Sequence, residues 1–387
     1  VAQPMNRRAT PPAGEGTPVF AWITGERTNV GDSLLRRPYL AALRRVGPVD
    51  LWINRSTPDF LRGLDPAPED TLTPRFARWY PRLLRTALRR RTILVLNAGE
   101  FRVHPSRVGL LLALVAAALV VRLRRGATVW IGVSVPPSGG RLMRSPVRWA
   151  GRHLDDVRWR DTESPRSTVS RPVVPDWAFA EGTPVGSWSS SERRLAAFVL
   201  RGDRSDPTQA WFDWARTLCA DHGLRPVVVI QVRQDAARAA AVAAELGGDV
   251  IDWPAASAHD EQERAVREVY RRSLFVIGDR LHGLIIGATE GAIPLGWVES
   301  SRGKIRRHFE AVGLTSAGLL EGVPATDLPR IHPPAEQEMA RDLRRSVSGA
   351  RSSLARVGEE LERLRDGRGV TTRGADAVSA ERGPAPL

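Results

Sequence analysis

The sequence predicts an α/β protein made of two doubly wound parallel-sheet domains that face a cleft, followed by one long C-terminal helix. Three observations predict it: apolar runs of strand length alternate with helical patterns, the alternation occurs twice, and a Gly/Ser/Pro stretch separates the two series. Near-continuous apolar strands interleaved with helices are the mark of parallel sheets covered on both faces.

In the first series the strands are "VFAWIT" from Val19, "VDLWIN" from Val49, "TILVLN" from Thr92 and "TVWIGVSV" from Thr128. Helical patterns such as "SLLRRPYLAALRRV" lie between them. In the second series the strands are "LAAFVL" from Leu195, "PVVVIQV" from Pro226, "DVIDW" from Asp249, "LFVIG" from Leu274 and "IPLGWV" from Ile293. The organisation that follows is a flexible leader (residues 1–17), an N-terminal α/β domain (18–180), a linker (181–192), a C-terminal α/β domain (193–332), a long amphipathic helix (333–366) and a disordered tail (367–387). The leader lacks the apolar core of a signal peptide. In the long helix Met339, Leu343, Val347, Ala350, Leu354, Val357, Leu361 and Leu364 recur at steps of three and four. Such a stripe either packs within the chain or forms a coiled coil with a second copy.

Composition narrows the function classes. With 42% hydrophobic and 26% charged residues in 387, the chain is of globular type. Its net charge of +14 suits nucleic acid, an anionic membrane surface or small anionic substrates. No paired Cys/His finger and no aromatic-plus-basic motif accompanies the charge, so nucleic acid is not the expected partner. Peripheral contact with the inner membrane surface is compatible with it. The lone cysteine, Cys219, rules out an internal disulfide and a cysteine-based zinc site, and its helical setting predicts buried packing. The longest apolar run, Val108 to Val121, is too short to span a bilayer and reads as a buried helix.

Ligands of doubly wound sheets bind beyond the carboxyl ends of the strands, and the polar motifs fall there. "GERTNVGDSLL" joins the first strand to a helix: Asn29 and Gly31 suit a tight turn, and Asp32 or Ser33 caps the helix or meets a ligand. "NAGEFRVHP" places Glu100 and His104 after the third strand of that series. "VRWRDTESPRS" places Arg160 at a strand end beside Asp161, where it either pairs with Asp161 or serves as a pre-oriented anion donor. "GDRLHGLIIGATEGAIP" sets Arg280 and His282 at the start of a small-residue helix, so that a guanidinium and free backbone N–H groups converge on one anion. The alternative there is Asp279 pairing with Arg280, and a satisfied, buried His282. Lys304 in "SSRGKIRRHF" should reach the same cleft from the next loop.

Taken in order, "NVGDSLL", "RDTES", "PDWAF", "GDRLHGLI", "GAIPLGW" and "GKIRRHFEAVGL" resemble the polysaccharide pyruvyl transferase family over roughly Val19 to Leu314. The resemblance implies a glycosyltransferase-B-like fold of two Rossmann-like halves. It implies transfer of the pyruvyl group of phosphoenolpyruvate, as co-substrate and without metal or other cofactor, to a cell-surface polysaccharide or its lipid-linked precursor, as a ketal. Arg160 then matches a donor-binding position, Arg280 with the Leu281 backbone the phosphoenolpyruvate clamp, His282 the acid/base and Lys304 the lysine near the donor. Asn29, Gly31, Asp32 and Glu100 remain candidates on the acceptor side. The sequence departs from the family in "NAGE", where a glycine-rich triplet is usual, and in "VESSRGK", which lacks an aromatic residue before the lysine. Imidazole's ordinary pKa near neutrality suits proton transfer to and from the donor. A cytoplasmic location goes with that reading. The competing functions are a sugar-nucleotide-dependent glycosyltransferase of the same architecture and a non-catalytic basic scaffold at the membrane.

Overall fold

The computed structural model describes residues 16–136, 144–189, 192–298 and 303–367. Apart from Gly16, Thr17 and Gly367, the expected leader and tail lie outside the described residues.

The first domain holds β1 (Val19–Trp22), β2 (Val49–Trp52), β3 (Thr71–Thr73), β4 (Ile93–Val95), β5 (Gly99–Glu100), β6 (Ala127–Ser134) and β7 (Asp156–Trp159). They form one parallel sheet in the order β3-β2-β1-β4-β6-β5, with β7 on the far side of β6. Strands β4 and β5 share one register on β6, so they are a single line interrupted at Leu96–Ala98. The second domain holds β8 (Leu195–Val199), β9 (Arg225–Val229), β10 (Asp249–Ile251), β11 (Ser273–Gly278), β12 (Ile293–Val298) and β13 (Leu320–Glu321), parallel in the order β10-β9-β8-β11-β12-β13. In both sheets the strand order reverses beside the first strand, between β1 and β4 and between β8 and β11. These are the switch points at which doubly wound sheets open a crevice.

Every apolar run of the sequence read as a strand became one. The strands it did not announce are the edge strands β3 and β13 and the fragment β5. Thr71 and Leu72 in β3 are exposed, so no apolar pattern marks it. Cys219 is buried as expected, and burial pushes its thiol up to about 11.

The described part of the expected linker, residues 181–189, is anchored. It follows a short 3-10 turn, Trp177–Ala180, contains a second, Val185–Ser187, and buries Trp188. The C-terminal helix clamps it: Arg344 donates to the carbonyls of Val185 and Trp188, and Arg351 to those of Phe179, Glu181 and Thr183. That helix, Pro333–Arg363, crosses back to the first domain and packs on helix Arg36–Arg44 and the Trp177 turn. Its end is tied down where Thr17 Oγ1 and Arg91 Nη1 donate to the Arg365 carbonyl. All eight stripe residues are buried within the chain, from Met339 at 8% exposure to Val347 at 0%. The coiled-coil alternative, and with it oligomerisation through this stripe, is therefore corrected: the apolar face is already covered.

A second correction concerns the helix Pro105–Leu123. Its apolar run is not a buried helix, because only one side of it packs on the sheet and Leu112, Leu119 and Leu123 face outward.

If the C-terminal helix holds the two domains together, Leu354→Ala should lower the unfolding free energy by about 2–5 kcal/mol, the range for a buried leucine truncated in a packed core. Urea denaturation followed by far-UV circular dichroism measures this. A loss below about 1 kcal/mol would mean that the helix is not docked.

Candidate functional site between the two sheets

The centre of the cleft is a three-residue cluster contributed by both domains. Arg160, next after β7, is 2% exposed and donates from Nε to Ser134 Oγ at 3.1 Å and from Nη1 to Asp176 Oδ2 at 2.5 Å. The same Nη1 lies 3.4 Å from His282 Nε2, and that nitrogen lies 3.6 Å from Asp176 Oδ2. Nε2 thus stands between a donor, Arg160 Nη1, and an acceptor, Asp176 Oδ2, and the protonation of the ring decides which of the two it bonds. Burial alone would raise the Asp176 carboxyl, but the Arg160 guanidinium and His282 hold it far below the carboxylate range. Asp161, the neighbour that the sequence offered as the arginine's partner, instead caps the next turn. Its Oδ1 accepts from the backbone N–H of Glu163 and Ser164.

The loop after β1 supplies the facing wall. Asn29, not Asp32, caps the helix Val30–Leu34: its Oδ1 accepts from Gly31 N at 3.1 Å and from Gln231 Nε2 of the other domain at 3.1 Å. Gly31 lies inside that helix, so the expected tight-turn role is corrected. It is small because a Cβ there would stand 2.4 Å from His282 Nδ1. Asp32 accepts from Glu26 N and pairs with Arg36 Nη1 at 3.4 Å. Burial raises its carboxyl, and Arg36, with His282 and Arg160 further off, brings it below its usual value.

On the opposite side, helix Leu281–Thr289 begins straight after β11 with Arg280 as its cap residue. The first bond inside it runs from Leu284 N to Arg280 O, so the N–H groups of Leu281, His282 and Gly283 have no partner within the helix. Gly278 and Gly287 let this segment press on the sheet: added Cβ atoms would stand 2.0 Å from Val199 O and 2.4 Å from Val276 Cγ1. Arg280 is not the free clamp expected of it, nor does it pair with Asp279. Its Nε and Nη2 hold Asp235 in a two-point ion pair, brought over from the end of β9. Asp279 instead accepts from Arg201 N and pairs with Arg204. Lys304 reaches the cleft, but with a partner too. Its Nζ donates to Glu100 Oε2 at 2.8 Å, and Arg102 bonds the other Glu100 oxygen. Burial lowers the Lys304 ammonium while Glu100 raises it, and Arg160 and Arg201 lower it further. Arg160, Arg280 and Lys304 thus each face a carboxylate that fixes its direction. His104 is an exposed cap of the helix Pro105–Leu123 and takes no part.

Four residues at the site were not singled out in the sequence: Asp176, Asp235, Gln231 and His308. His308 is fully buried on helix Lys304–Glu310, and Nδ1 lies 2.7 Å from the Lys304 carbonyl, which requires that Nδ1 carry the proton. Its Nε2 is then an acceptor with no hydrogen-bond partner. Burial, with Arg160 and Arg307 nearby, pushes its pKa well below the ordinary imidazole value. Gln231 Oε1 is likewise buried without a partner. Unpaired buried acceptors call for a ligand or a water. No group of His, Cys, Asp and Glu among the described residues is arranged to hold a metal ion.

No family model matches the sequence, and no curated protein matches it either. Among solved structures, S. aureus MnaA in complex with UDP aligns at a TM-score of 0.50 and 10% identity, over 88% of this chain and 94% of that one. Anabaena Alr3699/HepE with UDP and glucose aligns at 0.46 and 11% identity, over 95% and 100%. E. coli heptosyltransferase WaaC with ADP aligns at 0.43 and 13%, over 84% and 100%. The first of these likenesses, with the strand orders and the returning helix, identifies the fold as glycosyltransferase-B-like.

Two predictions follow from this geometry. Gly31→Ala should destabilise by about 1–3 kcal/mol, as overpacking does, and His282→Ala should relieve most of that cost in the double variant. Additive losses would show that the two residues do not touch. The second concerns acid. His308 stays neutral when folded, whereas the unfolded chain takes up its proton near pH 6.5. Its contribution to stability is therefore complete above about pH 6.5 and is lost as pH falls below it. The drop in melting temperature between pH 7.5 and pH 5.5 should be smaller in His308→Gln than in the unsubstituted chain; equal drops would contradict the assignment.

Proposed function

We propose that this chain is a transferase that draws a group from a phosphate-bearing donor and places it on a glycan hydroxyl in the interdomain cleft. The observation that carries this reading is the Arg160–Asp176–His282 cluster, assembled from both domains at the free N-terminus of helix Leu281–Thr289. Backbone N–H groups and the helix dipole there suit a phosphate.

The finer reading is pyruvyl transfer from phosphoenolpyruvate. A proton delivered to the methylene carbon leaves an oxocarbenium-like centre at the enol carbon, and a sugar hydroxyl attacks it. Phosphate departs, and a second hydroxyl of the acceptor closes the ketal. His282, held against Arg160 and Asp176, is the group placed to move the proton. The buried carboxylates of the second domain support this donor over a nucleotide. Asp235, Glu263, Asp279, Glu290 and Glu321 are each engaged by an arginine or a backbone N–H, so none of these five is free to hold a ribose. The comparisons lean the other way. The MnaA structure holds UDP, which favours a sugar-nucleotide-dependent glycosyl transfer as the second reading.

Incubation with a panel of free and lipid-linked glycans separates these readings. Acceptor-dependent release of phosphate from phosphoenolpyruvate is expected. His282→Ala should lower that rate by about 100- to 10,000-fold, the usual contribution of acid–base catalysis, at an unchanged melting temperature. Release of nucleotide from UDP-sugars would transfer the proposal to the second reading. Turnover of neither donor would leave a non-catalytic scaffold.

A further inference from the structure

Helix Pro105–Leu123 presents the wrong chemistry to its surroundings. One side, with Leu111, Leu114, Val115, Ala118 and Val121, packs on the first sheet. The other side follows Gly109, Leu112, Ala116, Leu119 and Leu123 at steps of three and four, and all five are exposed. Leu112, Leu119 and Leu123 are 46%, 53% and 71% exposed. No polar side chain intervenes between Arg107 and Arg122. A helix covered on one side and washed by water on the other carries polar residues outside; this one does not.

The neighbouring helices extend the surface. Leu88, 51% exposed on helix Phe76–Arg89, offers its carbonyl to Arg124 Nε at 2.8 Å. Trp149, 41% exposed on helix Ser145–His153, lies one turn before His153, whose carbonyl accepts from Arg122 Nη2 at 2.5 Å. Five large apolar side chains thus share one face of the N-terminal domain. The charge around them is almost all of one sign, the nearby carboxylate Asp155 being paired with Arg122. From Thr71 to Leu154 the sequence carries sixteen arginines and a single carboxylate, Glu100, which is spent on Lys304 in the cleft. That segment alone outweighs the +14 of the whole chain. Its exposed rim includes Arg85, Arg89, Arg90, Arg124, Arg125 and Arg152.

We propose that this face docks on an anionic lipid bilayer, with the leucines and Trp149 in the boundary between headgroups and acyl chains and the arginines among the lipid phosphates. Aliphatic side chains, an interfacial tryptophan and long basic side chains that reach back to the headgroups are the components of such a surface. Charge complementarity selects the occupant. A second copy of the chain would bring the same arginine rim against itself, whereas an anionic leaflet attracts each arginine near it. The helix lies on the membrane rather than across it, since its inner side is already packed against the sheet. It starts at Pro105, a short loop away from Glu100 at the cleft, so a docked domain would hold the cleft beside the bilayer. The inference stands whichever group the cleft transfers.

The test is co-sedimentation of the full chain with vesicles of phosphatidylcholine alone, and of phosphatidylcholine with phosphatidylglycerol in a three-to-one mixture. The chain should pellet with the anionic vesicles and stay in the supernatant with the neutral ones. Leu112→Gln, Leu119→Gln and Leu123→Gln combined should reduce the bound fraction at least about tenfold with the melting temperature retained, since each leucine would otherwise leave water for the acyl boundary. If the triple variant does not fold, Leu123→Gln alone at the helix end should still give a several-fold loss. No binding to the anionic vesicles, equal binding to both kinds, or full binding by the leucine variants would overturn the proposal. So would a dimer in sedimentation velocity that the leucine substitutions abolish, which would assign the face to self-association.

Discussion

A carboxylate that is 1% exposed has to be either neutral or paired, and Asp176 is paired. Its partner Arg160 is equally buried, and Ser134 takes up the arginine's Nε. Leaving either charge without the other would cost about 3–5 kcal/mol, so neither side chain has freedom to swing. The position of His282 depends on this pair. The imidazole is pressed between the guanidinium and Gly31, which puts a C-terminal-domain residue among N-terminal-domain atoms. The site and the seam between the domains are therefore the same contact.

Around that centre the seam is polar. Arg37 binds Glu263 of the second domain with both Nη atoms and reaches Glu181 with Nε. Arg267 continues the chain from Glu263 to Glu290, which meets Thr183. Deeper in, His259 Nε2 donates to Arg27 O, so its Nδ1 is free to accept from Ser33 Oγ. Burial keeps that ring below its ordinary pKa, consistent with a single ring proton. Networks of this kind fix one relative arrangement of two bodies more sharply than apolar contact does, because every misalignment strands a buried donor or acceptor.

The parts of the molecule that were legible in the sequence are those written in periodicity. The central strands and the long helix each bury a continuous apolar pattern, and no tertiary partner is needed to see it. Strands β3 and β13 were invisible because edge strands of two or three residues bury too little to leave a pattern. Composition marks the linker by its Gly and Ser but gives no sign of its anchorage, which Trp188 and the carbonyls gripped by Arg344 and Arg351 supply. At the site, residue types were legible and pairings were not. Arg280 finds Asp235 across 45 positions of sequence, and no local spacing announces that. Gly31 was read as a turn residue because a glycine gives no hint of what occupies the space it leaves. His308 did carry a signal, four residues after Lys304 on a short helix, where its ring can reach the Lys304 carbonyl.

The returning helix Pro333–Arg363 has a consequence for biogenesis. A ribosome delivers this segment after everything it covers, so the first domain emerges with the groove beside helix Arg36–Arg44 and the Trp177 turn still bare. Its own sheet can form early, but its surface is completed only by this later-made helix. A nascent chain stalled before Pro333 would display apolar side chains from both halves to folding helpers and proteases. Assembly of the cleft in this sense waits on the synthesis of this helix rather than on the folding of either domain.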